Sequence, residues 1–122
     1  RKANTMQPNE IHSQSTGGGI LPTIHSNGTS AQALLDQARG VLDALRALRG
    51  AMADVAPNGR DYYPQGEEAA RTACREHERR RQSVERIWLE YEALAEHCAA
   101  AVCRQNDKRV RTRRNQAPTQ EE

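Results

Sequence analysis

Apolar side chains recur along the first half of the chain at Leu34, Ala38, Val41, Leu45, Leu48, Met52 and Val55, in steps of 4, 3, 4, 3, 4 and 3. That spacing is a three-heptad helical seam. Leu35 and Leu42 widen it on one side, and Arg39, Asp43, Arg46 and Arg49 lie off it. Thr29-Ser30-Ala31-Gln32 has the form of a capping box, in which Thr29 and Gln32 satisfy each other's backbone amides. Gly40 and Gly50 each weaken the helix by about 1 kcal/mol relative to Ala, so packing must hold it. Pro57 and Asn58-Gly59 stop it. The first helix is predicted over residues 29–56.

A second seam follows at Ala70, Cys74 (or Ala73), His77, Val84, Ile87, Tyr91, Leu94, Cys98 and Val102, interrupted by the polar run Glu78–Ser83. Pro64 and Gly66 bracket the restart, and Glu67 and Glu68 sit where the positive end of a helix dipole favours them. Glu67 with Arg71, Glu76 with Arg80 and Arg86 with Glu90 are spaced i, i+4 and support the helix. The second helix is predicted over 67–104, about 50 Å long, with a loop at 57–66. Folding back about that loop brings Met52 to Ala70, Leu45 to Glu78 and Leu34 to Leu89. The clean half of one seam then faces the charged insert of the other, which points to leucines that belong to another subunit. The fold expected is all-α: an antiparallel two-helix hairpin, residues 23–104, with coiled-coil-like heptad packing, assembled into an oligomer.

The ends read differently. Residues 1–22, with Gly17-Gly18-Gly19, bury too little to offset their ordering entropy and are expected to form a flexible leader. The initial Arg1 suggests a processed chain or a fragment. Pro22–Ser26 has weak strand character, and Asn27-Gly28 is a turn signal. Residues 105–122 are a basic, then polar, tail expected to fray.

Composition narrows this further. The chain has 122 residues, 36% of them hydrophobic, with no Phe and one Trp. One domain at most is implied, its core built from Leu, Val and Ala. A two-helix unit of that kind needs a partner or a second copy. Cys74, Cys98 and Cys103 are an odd number on one helix, which argues for a reducing compartment over a disulfide framework. No apolar run approaches 18 residues, so no membrane association is expected. Without a secretory signal the acceptor pattern Asn27-Gly28-Thr29 is accidental.

Two stretches carry recognition chemistry. In Asn58–Gly66, the Arg60 guanidinium matches phosphate, Tyr62 and Tyr63 offer stacking faces, and Asn58, Asp61 and Gln65 can meet base edges. His25 and Asn27 of a neighbouring chain would complete a site for a small anionic, nucleotide-like ligand. The structural alternative is a turn in which Asp61 caps the second helix, Arg60 pairs with it and the tyrosines plug the open end. The second stretch is Arg104, Lys108, Arg109, Arg111, Arg113 and Arg114, a basic arm for nucleic-acid phosphate. Cys74 with His77, and His97 with Cys98 and Cys103, lie about 30 Å apart on one helix and lack a Cys-x-x-Cys pair, so no metal and no cofactor is expected. No nucleophile elbow, phosphate loop or carboxylate pair occurs, and the function expected is not enzymatic.

Thr23-Ile24-His25, Asn27-Gly28-Thr29-Ser30, the run Asn58-Gly59-Arg60-Asp61-Tyr62-Tyr63-Pro64-Gln65-Gly66 and Glu76-His77 together resemble a group of small helical-hairpin proteins encoded by phages and prophages. The likeness covers residues 23–103. It implies a cytoplasmic setting in a bacterial host and a non-enzymatic role: inhibitor of host defence, sponge for a nucleotide signal, or structural virion accessory, with a host or phage protein among the possible partners.

Overall fold

The computed structural model describes residues 19–116, and among them no strand occurs. Helix α1 spans Ala31–Asp54, a short helix α2 spans Gly59–Tyr62, a 3-10 turn covers Tyr63–Gln65, and α3 runs over Glu67–Gln116. The expected disorder of residues 1–18 and 117–122 lies outside the described residues.

Several boundaries differ from those expected. Ser30, not Thr29, caps α1: its hydroxyl accepts from the Ala33 amide at 3.1 Å. The Gln32 side chain does not close a box but donates forward to Asp36 at 2.9 Å. Ser is a better cap than Thr, and Ser30 holds the extended backbone a cap requires. At its other end α1 closes at Asp54, with the Val55 and Ala56 amides donating back to carbonyls of the last turn. The expected loop 57–66 is mostly helical. And α3 continues twelve residues past Arg104, as a single helix of 50 residues, about 75 Å long. Straight-chain Arg, Lys and Gln lose little rotamer freedom in a helix, so the basic tail extends it instead of fraying.

The two long helices pack side by side and run in opposite directions. Arg49 pairs with Glu85, and Arg46 and Arg49 lie over the Trp88 ring, 5.5 and 4.4 Å from its centre. Met52 and Ala53 border one groove with Arg81 and Val84. This register is about eleven residues, three turns, away from the expected one. The physical cause is the connection: residues 55–66 do not turn sharply but climb along α3, so that Asp54 is level with Arg80 instead of with the start of α3. The charged insert Glu78–Ser83 therefore meets only the last turn of α1, and the conflict that pointed to foreign leucines is absent.

The buried residues are Ala31, Leu35, Ala38 and Leu45 of α1, with Cys98 and Ala101 of α3. Leu35 is therefore central, whereas Leu48 and Val55, expected on the seam, are 43% and 69% exposed. The inward face has turned by about one residue, so that Arg49 takes a seam position and uses it for the ion pair and the ring. Four of the six buried side chains are Ala or Cys, which lets the backbones approach closely near Ala31 and Cys98. Pro22–Ser26, expected to have strand character, instead lies as an extended strap along α3: the Pro22 carbonyl is 2.7 Å from His97 Nε2, and Ile24 borders Ala101, Arg104 and Lys108. A turn at His25–Gly28 then leads into α1.

Candidate functional site

The connection is built from its own hydrogen bonds. Asn58 caps α2, its Oδ1 accepting from the Arg60 amide at 2.9 Å. Asn58 Nδ2 donates to Asp61 at 3.3 Å. Asp61 therefore serves the cap of α2 and not that of α3, and no ion pair between it and Arg60 forms among the described residues. Gly66, at φ 106° and ψ 161°, joins the 3-10 turn to α3. That backbone region is open essentially to glycine alone.

Tyr62 is half-buried and lines a shallow groove with Gln65, Glu68, Ala69, Thr72, Ala73 and Glu76. Tyr63 is 75% exposed. Two carboxylates in the groove disfavour an anionic ligand there, although Glu68 also holds Arg71 and Glu76 lies 4.0 Å from Arg80. Of the connection's recognition set, Arg60, Tyr63 and Gln65 are left exposed and without side-chain hydrogen bonds among the described residues. His25 and Asn27 sit at the other end of the molecule. The His25 ring covers Gly28 so closely that a Cβ there would lie 2.9 Å from Nε2, and its neighbour Ile24 packs near Arg104. Tyr62 packs near Thr72, so the two groups are roughly 45 Å apart along α3. Within one chain they form no common site.

The basic stretch is a helix. Arg104, Lys108 and Arg111 fall on one face at i, i+4 and i+7, and Arg109 and Arg113 fall on the opposite face, with Arg114 between. All six are exposed. Asp107 is the one carboxylate between Arg104 and Gln116, and no ion pair among the described residues engages any of the six cations. The Ala31 end of α1 is level with Cys103, so the basic turns project beyond α1 with only the strap beside their base.

The thiols differ from one another. Cys74 and Cys103 are exposed and Cys98 is buried, where desolvation pushes its thiol above the usual range. Among the described residues no three His, Cys, Asp or Glu side chains converge on a point, and no helix is long and apolar enough to cross a membrane. Trp88 was not singled out by the heptad spacing. It stacks under two guanidinium groups and donates through Nε1 to Glu92 at 3.2 Å. No signal in the sequence brings the three together, because the expected register, with Leu34 near Leu89, sets Trp88 beside Leu35. No protein-family model, curated protein or solved structure matches the chain.

Proposed function

We propose that the chain is a non-enzymatic binding protein that holds the phosphates of nucleic acid with the projecting basic end of α3. Its scaffold is an antiparallel helical hairpin that self-associates through heptad-spaced faces. The observation that carries this reading is a continuous, exposed helix with six cations distributed around it and no described carboxylate partner. Cations on opposite faces suit a helix lying in a major groove, which is about 12 Å wide and lined by phosphate on both walls. Such contacts position without reading bases, so affinity rather than sequence preference is expected.

Fluorescence anisotropy with a 20-base-pair duplex tests this. Six neutralised phosphates correspond to a log–log salt slope of about −5. A chain ending at Arg104 should lose binding and most of that slope. An unchanged slope after truncation would remove the basic helix from the function.

A second reading, a small anionic ligand at the connection, keeps the support of Arg60 and Tyr63, both exposed and unengaged. Native mass spectrometry of protein purified without denaturation should then show a few hundred daltons of extra mass that Arg60→Ala abolishes without lowering Tm. The proposal includes a cytoplasmic setting in a bacterial host for either function, which is what the resemblance of residues 23–103 to phage and prophage proteins implies.

A further inference from the structure

Helix α1 carries a second face that nothing among the described residues covers. Gln37, Val41, Ala44, Leu48, Ala51 and Val55 follow steps of 4, 3, 4, 3 and 4, a heptad line of its own. Val41 is half-buried and the other five are exposed. Successive residues turn by about 100°, so this line points roughly 100° away from the buried face. Every charged residue of α1 lies about as far again or farther from it, leaving the line and both its flanks uncharged. On α3, Ile87 is 40% exposed and level with Leu48. Arg46 and Trp88 mark one side of the helix pair; Leu48 and Ile87 both lean toward the other, so Ile87 widens the apolar strip.

Among the described residues no other segment packs on that strip, and the remaining stretches offer few large apolar side chains. Residues 1–18 hold Met6 and Ile11 as their large apolar side chains, and residues 117–122 hold none. Among the described residues only six are buried, a thin core, the situation in which small folds gain stability by association.

We infer that a second copy of the chain occupies this face, with the two α1 helices antiparallel about a two-fold axis level with Arg46. The side-chain sizes select that arrangement. Antiparallel pairing sets Ala44 against the partner's Leu48, Val41 against the partner's Ala51, and Gln37 against the partner's Val55. Each layer then holds one branched side chain and one smaller or unbranched one, which interdigitate. Parallel pairing would alternate Leu–Leu or Val–Val layers with Ala–Ala layers and leave voids. The interface is isologous, so it closes at two chains. It names the surface behind the self-association proposed above. It also carries the basic helices to opposite ends of the pair, their centres roughly 60 Å apart by helical rise.

Sedimentation of the full chain at tens of micromolar should give the mass of two chains. Leu48→Glu should halve it while the far-UV helix signal persists. In a Cys74→Ser/Cys103→Ser background, which keeps only the buried Cys98, Val41→Cys and Ala51→Cys proteins should form a disulfide when mixed, and neither should do so alone. A wild-type monomer, a dimer indifferent to Leu48→Glu, or either cysteine variant cross-linking to itself as readily as to the other would overturn the arrangement. Duplex binding by the Leu48→Glu monomer separates the two ideas. If it binds through the basic helix but wild type is monomeric, the dimer fails alone. If the dimer forms and truncation at Arg104 leaves duplex binding unchanged, the nucleic-acid reading fails alone.

Discussion

Helix α3 overhangs α1 by about the same length at both ends, and the two overhangs have opposite fates. Residues 67–79 are covered by the returning connection, with Tyr62 half-buried against them, and their charges are largely consumed in pairs: Arg71 with Glu67 and Glu68, Arg75 with Glu68, Arg80 with Glu76. Residues 104–116 have the strap's Ile24 beside their base, six cations and no described ion pair. Equal lengths of one helix thus separate into a part whose charges complete the fold and a part whose charges remain available. The connection looked like the richer site because its side chains are varied, but variety there largely serves a turn.

The contrast breaks in a definite order. Replacing Arg109, Arg111 and Arg113 with Glu should weaken duplex binding the most, by about 1000-fold at 0.1 M salt, with Tm unchanged; anisotropy and a thermal melt read the two quantities. Gly66→Ala should do the reverse, costing roughly 1–3 kcal/mol of stability through its positive φ and leaving affinity intact, as a urea titration would show. Asn58→Ala should cost about 1 kcal/mol by the same titration, the usual worth of a helix cap, whereas Asn115→Ala in the projecting turns should cost nothing measurable.

The smallest effect is at Glu78. The hydrogen bond and charge of Arg81 hold its carboxyl below the ordinary range. A carboxyl depressed on folding stabilises the folded form above its unfolded pKa, and that help fades as pH falls through the lower folded value. Acid titration of the helix signal in Glu78→Gln should therefore show a shallower decline than wild type below the usual Glu range.

How much of this was legible follows from which physical signal each feature uses. The presence of both long helices came from periodicity, which a helix must obey to bury one face, and the stop near Pro57 from its Pro and Asn-Gly signals. The inward direction was off by one residue because α1 carries two adjacent apolar lines, and only the partner helix decides which one faces it. Register was missed because it depends on the path of the connection: Asn58-Gly59 reads as a breaker, yet it caps a helical turn. Helix length at the C-terminus was missed because exposed Arg and Lys show no period at all. At the candidate sites, the cations were legible by charge alone, while the loss of Asn58 and Asp61 to capping, and of Arg49 and Trp88 to each other, required distances.

The helical connection has one more consequence, for the rate at which the molecule assembles. Twelve residues, 55–66, separate α1 from α3, and seven of them, 59–65, already hold helical backbone. Closure cost grows only slowly with loop length, so joining the helices across twelve residues adds little to the barrier. Local helical contacts dominate the rest. Collapse of α1 onto α3 thus belongs to the microsecond-to-millisecond regime of helical bundles, with Trp88, at the point where the helices meet, as its built-in optical clock.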